Sequence, residues 1–477
     1  MNRSSRTRPR MLVLALAAAC AVGGARDVAA LPGLEASAFS HIARGAHAPT
    51  PPRKTAARPT ATNWVVSNCN DAGAGSLRDI VDHFAVDGDT VDMTALTCGS
   101  ITLTTGSIFT AANNLTFEGP ASSTFFIGGG DALRLFGHLG SGTLTFRHLV
   151  LSHGYARSTG INDAAGGCIA SYGTVSLDHV VAKYCKAGAA DNGVGVGGAV
   201  FAANVEIRDS EVKYNDARSN QGVALGGGVF AMQTATIDYS TISGNQAFAN
   251  NTQLSDGGGV LAYYGGALRM STVSNNEAGG AGGVAFIGGH TAISQSTISG
   301  NSSLLSYIGA GVHVQSAFPV FVENSTITGN LERNPSSNRY GAGLHLAANT
   351  QAVVISSIIA GNRLDDGTAL LWFSDVGGET GSFVTGDHNL AVWSRIPLPA
   401  DTRYTLDPGL GRLQDNGGPT PTHALRPTSP AIEAGFNFTG VPYDQRGSGF
   451  ARTIGANADI GAVEFDLNDL IFADDFD

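Results

Sequence analysis

Ser240-Thr241-Ile242-Ser243-Gly244-Asn245 is followed by Ser271-Thr272-Val273-Ser274-Asn275-Asn276, then by Ser296–Asn301 and Ser325–Asn330. Weaker copies stand at Val180–Cys185, Ser210–Asn215 and Ser357–Asn362. The closing positions 185, 215, 245, 276, 301, 330 and 362 are separated by 30, 30, 31, 25, 29 and 32 residues. Self-similarity at such a period signals a solenoid, propeller or array. The repeats are built of Gly, Ser, Thr, Val and Ile, which disfavours helices and favours short strands. A propeller blade needs ~40–45 residues and four strands, more than each unit offers. One coil of a parallel β-helix per repeat fits, with coils stacked ~4.8 Å apart.

Columns test this register. Eight residues before each closing position stand Leu177, Ile207, Ile237, Leu268, Ile293, Val322 and Val354; three before stand Ala182, Val212, Ile242, Val273, Ile298, Ile327 and Ile359. Both are apolar throughout, as interior stacks must be. Seven before stand Asp178, Arg208, Asp238 and Arg269, alternating charges that attract across adjacent strands. The closing asparagines can bond amide to amide along the stack. Each coil opens on glycines and an apolar residue, as in Gly227-Gly228-Val229 and Gly258-Gly259-Val260, and glycine is expected at corners with positive φ.

Composition agrees. Gly is 64 of 477 residues, nearly twice the usual ~7%, and charged residues are 14% against ~25%. The formal net charge is −11 and there are four lysines, which excludes nucleic-acid binding driven by a basic surface.

Arg3, Arg6, Arg8 and Arg10 precede an apolar run from Met11 to about Ala25, and Val28-Ala29-Ala30 offers a cleavage site before Leu31. Residues 1–30 are therefore read as a secretory signal peptide, too short for a membrane span of ~20 residues. An uncut anchor, or lipoprotein processing at Cys20, is the alternative. The mature chain carries no other span-length apolar stretch, so it is expected to be secreted or held at the cell surface, and monomeric. Residues 31–62, rich in Ala, Pro, Thr and Arg, form a flexible linker. Residues 63–100 form an N-terminal cap: Ser76 caps a helix with Leu77, Ile80, Val81 and Phe84 on one face, covering the open solenoid end. The β-helix spans 101–400. The four mature cysteines, Cys69, Cys98, Cys168 and Cys185, fit disulfides in an exported chain. Of three possible pairings the neighbours, 69–98 and 168–185, are favoured. No pair has zinc-site spacing.

The opening Ser67-Asn68-Cys69-Asn70-Asp71-Ala72-Gly73-Ala74-Gly75-Ser76-Leu77-Arg78, with the Gly-Gly-x-Val and Ser-Thr-Ile-Ser-Gly-Asn repeats, resembles secreted bacterial β-helix proteins. Residues 401–465 resemble a choice-of-anchor Q domain, through Asp407-Pro408, Asp415-Asn416-Gly417-Gly418-Pro419-Thr420, Ser429-Pro430-Ala431-Ile432, Asp444-Gln445-Arg446-Gly447 and Asp459-Ile460-Gly461-Ala462. The resemblance implies an exported, right-handed, pectate-lyase-like parallel β-helix and brings no catalytic residues with it. Residues 466–477 form an acidic tail similar to short Phe-containing tails of exported proteins.

Three sets of residues are candidates for function. An outward stripe of Phe201, Phe230, His313 and His345, with Ala170, Leu261 and Ala285, would offer sugar rings a stacked platform if uncovered. A polar patch places Lys183 over Lys213 and Tyr184 over Tyr214, near Arg208; a lysine of this kind can take the proton beside a uronate carboxylate. Asp87, Asp89 and Asp92, and Asp365-Asp366 with Asp375, are oxygen ligands suited to Ca²⁺, although Asp-Gly turns explain them more simply; no metal site or other cofactor is assigned. The column His179, Asp209, Tyr239 reads as an internal hydrogen-bonded ladder. The function expected is a non-catalytic, adhesive scaffold. The alternatives are a polysaccharide lyase or glycosidase, and a glycan-binding module without turnover. The partner in each case is an extracellular polysaccharide or cell-surface glycan.

Overall fold

A computed structural model describes residues 60–466 apart from 122–123, 159–162, 191–192, 251–254, 305–307, 334–340 and 369. The segments read as a signal peptide and acidic tail, and most of the one read as a linker, lie outside the described residues, apart from residue 466. Each coil runs through the same three stations in turn, and the middle coils add two further ones. In one middle coil the five are Val200–Ala202, Asn204–Arg208, Glu211–Lys213, Asp216–Ser219 and Ala224–Leu225, after which Val229–Ala231 begins the next. Stacking gives five ladders, parallel throughout except where Leu371–Phe373 joins antiparallel to Arg363–Asp365. Sheet I has twelve strands from Asn63–Val65 to Phe383–Asp387, and sheet II twelve from Ser100–Thr102 to Arg403–Tyr404. Sheet III has ten, from Ile108–Thr110 to Val376–Gly378. Sheets IV and V, of nine and four strands, form a side arm. The chain is an all-β parallel β-helix.

The register is the one read from the columns. Ile242 pairs with Val273 and Val273 with Ile298, and all three are fully buried. Leu177, Ile207, Ile237, Leu268, Ile293, Val322 and Val354 likewise follow one another in sheet I. In the charge column Arg269 meets Asp238 at 2.9 Å, and Arg147 lies between Glu118 and Asp178 at 3.7 and 3.6 Å.

The repeat motif now has a cause at each position. The asparagines form a buried ladder: Asn276 Nδ2 donates to Asn301 Oδ1 and to the Ile242 carbonyl, both at 3.0 Å. Asn276 Oδ1 accepts from the Asn245 backbone and side-chain amides at 2.9 Å. Asp375 ends the ladder by accepting from Asn362. The second coil-opening glycine faces this ladder: a Cβ on Gly259 would come 2.7 Å from the Gly283 carbonyl and 3.1 Å from Asn276 Nδ2. The serines form a second ladder, each hydroxyl donating to the carbonyl two residues back, as Ser240 to Asp238 and Ser271 to Arg269. They clasp the corner between sheets I and II, whose residue has positive φ but is rarely glycine: His148, His179, Asp209, Tyr239 and Met270 all occupy it. The expectation that corners belong to glycine fails there. The serine hydroxyl bond helps fix the turn and offsets the cost of a left-handed non-glycine residue.

Both favoured disulfides are present, Cys69–Cys98 and Cys168–Cys185. The second sits where later coils pair a small coil-opening residue with an asparagine. Helix α1, Leu77–His83, starts at Ser76, whose Oγ accepts from the Asp79 amide at 3.2 Å. It buries Leu77, Ile80 and Val81. Phe84 departs from the expected face: it is the C-cap residue, 43% exposed, with its ring 5.2 Å from Trp64. Strand pairing also starts inside the cap, since Asn63–Val65 and Asp89–Asp92 begin sheet I. Among the described residues no helix is long and apolar enough to cross a membrane.

Candidate functional site

The sheet III stripe is covered. Phe201 and Phe230 stack at 5.6 Å, yet are 0% and 1% exposed, packed under Val194, Val196, Val223 and Leu225 of the side arm. His313 and His345 are also buried, with their Nδ1 atoms 3.0 Å apart, and burial lowers the His313 pKa well below its ordinary value. In the coils that carry sheet V, from Ala164–Ala165 to Ser255–Asp256, the segment between sheets IV and III packs over this face. The expected sugar platform is therefore a second hydrophobic core.

The carboxylates read as calcium ligands are occupied by the chain itself. Asp89 is buried and accepts from the Thr62 amide, the Val86 amide and Trp64 Nε1. Asp87 accepts from Asn114, and Asp92 from Asn63 and Thr94. Asp366 accepts from Thr368 and Trp372, and Asp375 from the Asn362, Val392 and Trp393 amides. They do not converge on one point. The first set fixes turns of the cap and the second ends the solenoid.

Sheet II is different, because its outer face is covered along only part of its length. The segment after 405 lies across its later coils. Thr272 Oγ1 donates to the Pro421 carbonyl, Thr297 Oγ1 to Gln445 Oε1, and the Ala462 amide to Thr326 Oγ1. A buried network made of motif residues holds this cover together. Arg446 pairs with Asp444 at 2.7 Å and Arg452 with Glu464 at 2.8 Å, while Arg452 also donates to Asn324 of the solenoid. Burial, which disfavours the ionised form, pushes Glu464 up to about 8.

Ahead of this cover the face is open except at Val150 and Ser152, which are buried. Its outer columns run Ser100, Phe126, Val150, Val181, Glu211 and Thr102, Gly128, Ser152, Lys183, Lys213. Gly128 brings no side chain, so a depression of about 550 Å³ opens over it, lined by Ser100, Thr102, Thr124, Phe126, Ser152 and His153. That lies within the roughly 300–1,000 Å³ of small-ligand sites. Lys183 stands beside it, its Nζ 5.2 Å from the ring centre of Phe126, which lines the depression, and 5.9 Å from that of Tyr184. Among the described residues no carboxylate pairs with this ammonium. Lys213 differs, being ion-paired with Glu211 of its own strand.

Lys183, Lys213, Tyr184 and Tyr214 thus do assemble, but unequally. The tyrosine rings stack at 5.6 Å and 12°, with His153 5.3 Å beyond Tyr184, and they remain 41% and 54% exposed. Their faces are engaged with one another, so edges and hydroxyls meet solvent. Arg208 does not join them. It ends a sheet I strand, across the corner, with its Nε 3.2 Å from Asp209. Lys183 and Lys213 are in-register neighbours as the columns read, but Lys213 turns to Glu211 and Lys183 to Phe126.

Phe126, His153 and the hydroxyl-bearing Ser100 and Thr102 were not found from sequence. The first coils lack the serine–asparagine motif, and the column Ile101, Ile127, Leu151, Ala182 that places them is unevenly spaced.

The ladders define the class: a parallel β-helix with a side arm and a docked carboxy-terminal cover. No family model and no curated protein matches the chain. Among solved structures it is similar to the crystal structure of pectate lyase Pel9A, at 12% identity and a TM-score of 0.44, over 85% of this chain and 97% of that one. The fold stands on the strand ladders themselves, and no residue role passes from that enzyme to this chain.

Proposed function

We propose that the chain is an exported, monomeric scaffold, secreted or surface-held, that adheres to an extracellular glycan through the uncovered stretch of sheet II. The observation that carries this reading is Lys183: a cation held over Phe126, without a carboxylate partner among the described residues, beside an open depression that Ser100 and Thr102 help to line. That combination suits an acidic sugar. Its ring meets Phe126 and the His153 edge, its hydroxyls meet Ser100 and Thr102, and its carboxylate meets the ammonium. Turnover by β-elimination would need a base beside the sugar carbon and a second cation on the carboxylate. Lys213 is tied to Glu211 and Arg208 lies across the corner, so binding without turnover is the reading. Export is supported by the amino-terminal segment and fits the two disulfides. The choice-of-anchor Q resemblance belongs to the same proposal, with the motif residues Asp444, Arg446 and Glu464 serving to dock the segment.

Calorimetry with oligogalacturonate tests it. Lys183→Met should weaken binding about tenfold or more, the value of one charge-assisted contact. Gly128→Leu should abolish it by filling the depression, since the nearest atom to an added Cβ is the Ser152 carbonyl at 3.7 Å and the fold is undisturbed. Wild-type-like binding by both variants overturns the site. Ultraviolet absorbance from an unsaturated uronate product would replace adhesion with lyase activity.

A further inference from the structure

The column His179, Asp209, Tyr239 is not internal. Its left-handed corner residues project outward between sheets I and II, and the His179 side chain is 51% exposed. Asp178, His179 and Asp209 each bring one ligand atom to a common point, all within 4.8 Å of one another. Adjacent coils hold them: Asp178 pairs in register with Arg208, so His179 and Asp209 are the stacked corner residues that follow. His179 Nδ1 lies 2.7 Å from Asp178 Oδ1. On the preceding coil the His148 ring stacks 5.1 Å from His179, and its own Nδ1 is held by Glu118 at 2.8 Å.

We propose that Asp178, His179 and Asp209 form a binding site for a divalent transition-metal ion of the zinc type. One imidazole and two carboxylates select borderline ions over Ca²⁺ and Mg²⁺, which take oxygen ligands. Bonds of about 2.0–2.2 Å require donors roughly 3–4 Å apart, so closure from the present spacing needs small side-chain rotations. Two cations compete for the carboxylates: Arg208 Nε is 3.2 Å from Asp209, and Arg147 Nε 3.6 Å from Asp178. Both arginines are long and about half exposed or more, so an ion of charge two can displace them into water. The bound ion joins two coils at the corner. This site is independent of the sheet II depression.

The test is Zn²⁺ competition against a chromophoric chelator on the full chain, with Co²⁺ absorption as a second readout. One Zn²⁺ per chain is expected. His179→Asn and Asp209→Asn, both tolerant of left-handed backbone, should weaken it by roughly tenfold or more. His83→Ala, which removes an exposed histidine beside Asp79 alone, should change nothing. The proposal is overturned if the wild-type chain takes up no ion, or if the His179 and Asp209 variants hold Zn²⁺ as tightly as it does.

Discussion

Replacing Asn276 by alanine probes the ladder that sets the winding. The side chain is fully buried and makes four hydrogen bonds: two given, to Ile242 and Asn301, and two accepted, from the Asn245 backbone and side-chain amides. Asn301 Oδ1 keeps the Asn276 backbone donor, and Asn245 Nδ2 keeps the Val212 carbonyl. The Asn245 N–H loses its acceptor. Four net bonds at about 1 kcal/mol each, with the larger penalty for one orphaned donor, give a loss of about 4–6 kcal/mol. Arg269→Ala is the matched control. It removes an exposed ion pair with Asp238 in the same coil, worth about 0–1 kcal/mol. Urea unfolding followed by circular dichroism compares the two. Because coils pair chiefly with their neighbours, native-state hydrogen exchange should show the coils around residues 245–301, and the carboxy-terminal segment bonded to Thr272 and Thr297, opening first in the asparagine variant. A midpoint for Asn276→Ala no lower than for Arg269→Ala would refute the ladder as a source of stability.

Other residues give separate tests. Phe230→Ala should lower stability by about 3–5 kcal/mol in thermal unfolding and leave glycan affinity unchanged, because Phe230 is core and not platform. Removing Cys168–Cys185 by double serine substitution should cost about 3 kcal/mol for a 17-residue separation, measured as a denaturation midpoint. Asp256 gives a pH dependence: burial raises its carboxyl from 3.8 to about 6, against amide bonds from Ala281 and Gly257 that lower it. The folded state holds that proton more tightly than the unfolded chain. The stability it contributes is complete below the ordinary value and is lost, up to about 3 kcal/mol, as pH rises through about 6. Asp256→Asn should flatten that part of the stability–pH curve.

The solenoid was legible because its motif is chemically redundant: Ile242 names the core column and Asn245 the amide ladder, whereas the clasp made by Ser240 emerged only from the structure. The two disulfides were legible too. The surfaces were not. Phe201 and Phe230 occupy outward positions of a strand, and alternation alone cannot say that a side arm folds over them. Likewise, Lys183 and Lys213 share a column, but which carboxylate each meets depends on Glu211 lying beside one of them. The depression beside Phe126 lies in coils whose spacing varies and whose closing residues lack asparagine, so no repeat brought Gly128 and His153 together on paper.

The chain has four lysines, Lys54, Lys183, Lys186 and Lys213, which makes amine footprinting unusually direct. Acetylation read by mass spectrometry, with and without polygalacturonate, reports on each one. Lys183 should lose reactivity when the glycan binds, while Lys186, paired with Asp131, and Lys54, outside the described residues, should not change. Equal protection of all four lysines, or none at Lys183, would contradict the assignment of the open end of sheet II as the adhesive face.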